Sequence, residues 1–305
     1  MNTVPTIAET VKRAALALHP HSDSPRLDAE LLLGKVLGMS RSALAAHDDD
    51  SVAAADELEL EELIAERAQG APIAYLTGSR EFWSLPLMVS PDVLVPRPET
   101  EILVQHALEL LPPDVAVSVL DLGTGSGAIA LSLASERPRW NITAVDLSPA
   151  ALAVAAHNAR ALKLAHIAWH MGSWFETLAG QSFHMIVSNP PYIAASDPAL
   201  KTLSAEPAVA LTAGPTGLES YEQIIAQSPL HLQPQGWLVL EHGSTQAPDV
   251  SRLLARHGFD SIRTIPDLSG MPRVTLGVLS RPRDTLGLHS RGRDTQAVHS
   301  QQGTS

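Results

Sequence analysis

Cysteine is absent from the 305 residues, which excludes disulfides, a thiol nucleophile and any zinc site built on thiolates. A reducing, cytoplasmic setting is the expectation. Long apolar runs are also missing. Met1 to Arg13 has no basic flank leading into an apolar segment, and no later stretch approaches the roughly 20 residues of a membrane span. Positive charge is in deficit, with 21 Lys and Arg against 33 Asp and Glu and a formal net charge of −12. That balance argues against a broad nucleic-acid surface, which wants a basic stripe, so neither a membrane nor a stable nucleic-acid partner is expected. What is present, 45% hydrophobic residues, suffices for a core in each of two domains.

The first 71 residues carry helical periodicity and helix punctuation. Ser24 is placed to cap a helix that starts with Pro25 and stops at Gly38. A second helix is expected between Ala55 and Gln69, with Leu58 and Ile64 facing a core and Gly70 as the stop. Asp48-Asp49-Asp50 is most simply a solvated loop. Residues 72–93 are predicted as a linker and β-hairpin, on the apolar content of Phe82, Trp83, Leu85, Leu87 and Val89. From residue 94 to 279 strand and helix alternate, with strands near 118, 142, 166, 183, 236, 259 and 272, the pattern of an α/β doubly wound sheet. The tail from Ser280 holds a tandem repeat, Ser280-Arg281-Pro282-Arg283-Asp284-Thr285 recurring as Ser290-Arg291-Gly292-Arg293-Asp294-Thr295. With too little apolar content for a packed core, 280–305 is expected to be disordered.

Ligands of such sheets sit beyond the carboxyl ends of the strands, and the chemistry-bearing residues fall there. The apolar run Ser118 to Leu122 leads into Gly123-Thr124-Gly125-Ser126-Gly127 and then a helix from Ala128, so the glycines let backbone approach a ligand and the helix start offers free N–H groups. A second strand ends in Asp146, about 20 residues on, where a carboxylate can accept both ribose hydroxyls. An adenosine-containing cofactor is expected. The spacing also nearly fits a nicotinamide dinucleotide, with Ala128 in the last position of that fingerprint, and a glycine turn with no ligand is the bland alternative. The loop alone does not choose.

Asn189-Pro190-Pro191-Tyr192 comes directly after the apolar run Phe183 to Ser188. A Pro-Pro turn closing a strand is the plain reading. The chemical one is sharper: Asn carries an acceptor and a donor, the prolines stiffen the loop and free its carbonyls, and Tyr192 adds a ring able to stack on a flat group. Such a loop can hold a planar NH2 by its own hydrogens. A dehydrogenase would need a hydride-handling acid or base here, and none is at hand. Methyl transfer from a sulfonium needs alignment and acceptors, which favours S-adenosyl-L-methionine. His166, His170 and His184 lack metal-ligand spacing and are expected to be structural or surface residues.

Taken with Pro72 to Gly78, Arg80 to Trp83, Val95-Pro96-Arg97-Pro98-Glu99-Thr100-Glu101, Glu206-Pro207 and Glu241-His242-Gly243, these stretches resemble the bacterial release-factor glutamine methyltransferases, the PrmC/HemK type, over residues 1 to about 279. The resemblance implies a Rossmann-like class I S-adenosylmethionine-dependent methyltransferase domain with a small N-terminal helical domain that helps hold a protein substrate. The implied reaction moves a methyl group to the side-chain amide nitrogen of the Gln in the Gly-Gly-Gln motif of class I peptide chain release factors. It further implies cofactor contacts from Asp121, the Gly123 to Gly127 loop, Asp146, Trp174 against the adenine, and Asn189. Substrate contacts and catalysis fall to Asn189 and Pro190, with Pro191 and Tyr192 completing the loop. Ser173 departs from the acidic residue many relatives have before Trp174. The rival activities are a glutamine methyltransferase acting on a ribosomal protein, an adenine-N6 methyltransferase on nucleic acid, and a non-catalytic module that holds the cofactor as a structural ligand.

Overall fold

The computed structural model describes residues 4–164 and 166–280; of the tail expected to be disordered, Ser280 is described, its N–H donating to the Gly258 carbonyl, and 281–305 lie outside the described residues. Five helices open the chain: α1 (Ile7–Leu18), α2 (Pro25–Leu37), α3 (Arg41–Ala46), α4 (Ala54–Ala68) and α5 (Ile73–Thr77). Next come a hairpin of β1 (Ser79–Phe82) and β2 (Leu85–Met88), then α6 (Thr100–Leu110), β3 (Ser118–Leu122), α7 (Ala128–Glu136), β4 (Asn141–Asp146), α8 (Pro149–Ala161) and β5 (Ala168–Met171). The chain continues with β6 (Phe183–Ser188), α9 (Ala199–Thr202), α10 (Ala208–Leu211), α11 (Glu219–His231), β7 (Leu232–Glu241), α12 (Ala247–Arg256), β8 (Phe259–Pro266) and β9 (Pro272–Leu279). No helix among the described residues is long and apolar enough to cross a membrane.

Helix α1 buries Ile7, Thr10, Ala14 and Leu18, one stripe at helical spacing, against Leu32 and Leu33 of α2 and Leu60 of α4. Its start is held twice: Thr6 and Glu9 form a reciprocal capping box, and the carbonyls of Asp48 and Asp50 accept the N–H groups of Ala8 and Ile7. The acidic loop is thus solvated at its side chains yet bonded through its backbone. Gly38 ends α2 in the left-handed region as expected, whereas Ser24 precedes the helix without a side-chain capping bond. Leu58 points outward at 60% exposure and Leu60 takes the core position, because the buried stripe of α4 runs through Leu60, Leu63 and Ile64. The segment expected as linker begins with α5, whose Ile73 and Leu76 pack on the same helical core.

Asp28 of α2 and Arg67 of α4 meet at 2.8 Å with only 4% and 20% of their side chains exposed, and the guanidinium also donates to the Ala71 carbonyl. Removing one member strands the other in a dry site. Asp28→Ala is therefore expected to destabilise the helical unit by about 3 kcal/mol, read as a shift in the urea unfolding midpoint; an unchanged midpoint would contradict it.

The hairpin turns on two non-glycine residues in the left-handed region, Trp83 at φ 51° and Ser84 at φ 59°. Such a turn matches strand twist but normally uses Asn and Gly. Here it is tied down by carboxylates: Glu101 accepts the Trp83 backbone N–H at 2.8 Å and Glu136 accepts the indole N–H at 2.8 Å.

The main sheet runs β5-β4-β3-β6-β7-β9-β8, parallel except for β9, which is antiparallel to both its neighbours. Its central strands β3 and β6 are buried on both faces. Val119, Met185, Val187 and Val239 meet α6 and α7, while Leu120, Leu122, Ile186, Leu238 and Leu240 meet α11 and α12. From β3 the chain winds outward through β4 and β5, then returns to lay β6 on the other side of β3. The strand order reverses between β3 and β6, which opens a crevice at their carboxyl ends.

Candidate active site

The loop after β3 is shaped by three glycines with φ of 71°, 57° and 84° at 123, 125 and 127. At Gly127 space is also limiting: a Cβ would stand 2.9 Å from Leu131 Cδ1 and 3.2 Å from the Ala155 Cβ, so this glycine lets α7 pack against α8. The loop amides are largely spent inside the protein. Val145 O accepts from Gly123 N and Thr124 N, the Asp146 carboxylate accepts from Gly125 N at 2.8 Å, and Thr124 O accepts from Gly127 N. These four N–H groups precede the helix start at Ala128, where free N–H groups were expected, and are themselves taken.

Asp121 lies beneath the loop, wholly buried, with Oδ2 accepting the Thr124 hydroxyl at 2.7 Å and Oδ1 without a hydrogen-bond partner among the described residues. Burial pushes its carboxyl up to about 7. Because the folded-state value stands above the roughly 4 of an unfolded Asp, this group favours the folded state at acid pH and loses that contribution as pH rises toward and past 7. Asp121→Asn is expected to gain stability relative to the unsubstituted protein between pH 5 and pH 8.5, by comparison of urea midpoints; a difference independent of pH would refute the assignment.

Asp146 ends β4. One carboxylate oxygen holds Gly125 N and the other accepts Ser148 N at 2.9 Å, while burial raises the group above the ordinary aspartate range. Trp174, after β5, adopts φ 47°, an outlier for a bulky side chain of the kind found at functional sites. Its indole N–H donates to Gln223 Oε1 at 2.9 Å, and its ring lies over Gly123, 3.7 Å from where a Cβ would stand. Beside it, Ser173 N donates to the carboxylate of Glu176, so the acidic group here caps the turn from three residues downstream.

β6 delivers Asn189. The strand end is pinned by the Ser188 hydroxyl, which donates to Leu122 O at 2.7 Å, and the Asn189 Nδ2 donates to Thr100 Oγ1 at 3.2 Å. Gln246 staples the far end of this loop: Nε2 donates to the Tyr192 carbonyl and Oε1 accepts from Gly243 N. Glu206 clasps the opposite wall, accepting from Val95 N at 3.0 Å and pairing with Arg97.

These elements enclose a cleft of about 250 Å³ whose walls include Gly123, Gly125, Asp146, Trp174, Asn189 and Pro191. Four strand ends thus converge as the sequence predicted. The remaining candidates sit off the wall: Asp121, Thr124, Ser126 and Gly127 form the loop's foundation, Pro190 is buried, and the Tyr192 ring packs toward Gly243 and the core around Tyr221. Thr100 and Glu241 stand in sequence motifs that gave them no role of their own. The available signal was positional, since Glu241 closes an apolar strand just as Asp146 does, in register beside Asn189. His184 is structural: its Nδ1 accepts Ser118 N at 3.0 Å. Among the described residues no group of three His, Asp or Glu could hold a metal ion.

The strand order, the reversed final strand and the cleft at the switch point define a class I methyltransferase fold. Two family models match, the PrmC N-terminal domain over residues 9–78 and the Methyltransferase small domain over residues 98–257. A solved methyltransferase from Pyrococcus furiosus superposes with a TM-score of 0.50 at 18% identity, covering 64% of this chain and 89% of its own. The release factor glutamine methyltransferase of Salmonella typhimurium is 47% identical over 84% of this chain and 93% of its own length, and that of Pseudomonas aeruginosa 47% identical over 89% and 98%. The chain belongs to the release factor glutamine methyltransferase family.

Proposed function

We propose that the chain methylates the side-chain amide nitrogen of the Gln in the Gly-Gly-Gln motif of class I peptide chain release factors, with S-adenosyl-L-methionine as methyl donor and in the cytoplasm. The observation that supports it best is the state of Asn189. It lines the cleft, spends its NH2 on Thr100, and has an Oδ1 that accepts nothing among the described residues.

The residues present suit the donor. Asp146 and the glycine loop offer a carboxylate and close backbone, Trp174 offers a flat face, and Val145, Ala151 and Pro191 give apolar walls. A nicotinamide dinucleotide suits them less, because its pyrophosphate needs backbone N–H groups and those of Gly123, Thr124, Gly125 and Gly127 are already bonded. S-adenosylmethionine supplies an electrophilic methyl group on a sulfonium.

An amide nitrogen is a poor nucleophile, since its lone pair is delocalised into its carbonyl. It must be aimed. Asn189 Oδ1 and the Pro190 carbonyl accept the two N–H groups of the target amide, which fixes the nitrogen and stabilises positive charge as it develops there. Each such acceptor is worth roughly 3 kcal/mol, and alignment contributes at least as much. The methylated nitrogen becomes acidic and sheds its proton afterwards, so no strong base is required at the moment of transfer.

The test is incubation of the purified chain with S-adenosylmethionine and an unmodified release factor, and then fragmentation mass spectrometry. A single methyl on the Gly-Gly-Gln glutamine is expected. Methyl found instead on a ribosomal-protein glutamine or on adenine in an oligonucleotide, with the release factor untouched, would overturn the reading.

A further inference from the structure

The amide of Asn189 has two ends of nearly equal size and opposite character, an oxygen that accepts and an NH2 that donates. Which end faces the cleft decides whether the site attracts or repels a target N–H. The covalent geometry of Asn189 does not choose between them, so its neighbours must.

Thr100 is the first residue of α6 and only 4% exposed. Its Oγ1 receives the Asn189 Nδ2 at 3.2 Å, and among the groups around the buried Glu241 carboxylate its hydroxyl is the one that most favours the ionised form. Glu241 is the last residue of β7, 1% exposed, and the pairing of Ser188 with Leu240 sets it beside Asn189. Its backbone is fixed by Tyr221, whose hydroxyl donates to the Glu241 carbonyl at 3.0 Å. Oε2 of Glu241 has no hydrogen-bond partner among the described residues.

A hydroxyl has one proton to give. An ionised carboxylate only accepts, so a Thr100 proton turned toward Glu241 leaves only lone pairs for Asn189. The NH2 must then turn to Thr100, and the oxygen to the cleft. We propose that Thr100 and Glu241 are positioning residues that lock the Asn189 amide with its oxygen toward the substrate nitrogen. The inference rests on the proposed role of Asn189 as acceptor for a target amide.

If Glu241 is protonated it can donate to Thr100 in its turn, the Thr100 hydroxyl is released to donate to Asn189, and the amide is free to reverse. Burial holds the Glu241 carboxyl up at about 7, against the pull of Thr100, Arg273 and Arg97 and with the push of Glu99. Tyr192 and Tyr221 face the same carboxylate and burial raises both hydroxyls, so they stay neutral across the neutral range. His242, the next residue, is lowered by burial and engaged with Thr275 Oγ1.

The experiment compares the full-length protein with Thr100→Val, Thr100→Ser and Glu241→Gln, using S-adenosylmethionine and an unmodified release factor at saturating concentrations. Thr100→Val keeps the side-chain shape and removes the hydroxyl. It is expected to lower kcat by about 10- to 100-fold, as a small misplacement at a reacting centre does, while the calorimetric Kd for S-adenosylmethionine changes less than twofold. Thr100→Ser is expected to restore kcat to within threefold. Between pH 6 and pH 9 the unsubstituted protein should gain kcat through about 7, and Glu241→Gln, which cannot ionise, should give a flat profile even if Thr100→Val fails to fold.

A Thr100→Val kcat within twofold of the unsubstituted protein, a Thr100→Ser variant as impaired as the valine, or an acid limb that persists in Glu241→Gln would each overturn the lock. Absence of glutamine methylation by the unsubstituted protein would instead sink the proposed function, before any variant is compared.

Discussion

Asn189→Ala is expected to reduce methylation of the release-factor glutamine by about 10³-fold, at the upper end of what one preorganised polar group contributes, while binding of S-adenosylmethionine remains measurable. The side chain combines two properties that nothing else on the cleft wall duplicates. It stands at the end of β6, pinned through Ser188 and Leu122, so it has a fixed origin. It also presents an amide oxygen whose orientation is set by a donor bond to Thr100. On the proposed reading, alanine abolishes the acceptor and leaves the Pro190 carbonyl as the remaining grip on the target nitrogen, which could then rotate about a single hydrogen bond. The measurement is single-turnover methylation read by mass spectrometry, with calorimetry for the cofactor. Turnover within tenfold of the unsubstituted protein would show that the amide is aimed by something else.

Asp146→Ala should act on the other substrate, weakening S-adenosylmethionine by about 100-fold, the equivalent of roughly 3 kcal/mol for hydrogen bonds to a charged acceptor. Two losses coincide. The carboxylate is the acidic group at the strand end where ribose hydroxyls would be met, and it also holds Gly125 N at 2.8 Å and Ser148 N at 2.9 Å. Asp146→Asn separates them: an amide retains one acceptor for a backbone N–H but brings a donor toward the other, so an intermediate affinity is expected. At saturating cofactor kcat should change far less than with Asn189→Ala, because the reacting nitrogen is held elsewhere. An unaltered Kd for Asp146→Ala would remove Asp146 from the cofactor site.

The strands and the convergence of glycine loop, Asp146, Trp174 and Asn189 could be read from sequence because each is local: an apolar run, then a turn or a polar residue at its carboxyl end. The helical unit was likewise announced by Pro25, Gly38 and Gly70. What escaped depends on contacts between distant residues. Thr100 and Asn189 are 89 positions apart, so a threonine in a motif gave no sign of its partner. The carbonyl of Val145 takes up loop amides that look open when the glycines are considered alone. Leu58 and Leu60 both fit a helix face, and only the approach of α1 and α2 picks Leu60. Ser24 stands where a cap belongs but at φ −136° and ψ 56°, not the extended geometry a capping side chain uses. Tyr192 has the chemistry to stack on a substrate, and its ring instead packs on the apolar cluster around Tyr221.

The clasp of Glu206 on Val95 and Arg97 joins segments 111 and 109 positions apart in the chain. Such closures cost chain entropy before they return any contact energy, and contacts of this separation are slow to form. The cleft wall that they build is therefore expected to form late in refolding, after the hairpin of β1 and β2 and the docking of α1 on α2. A refolding chain should acquire its helical signal well before it can retain a nucleoside, which needs those distant segments brought together.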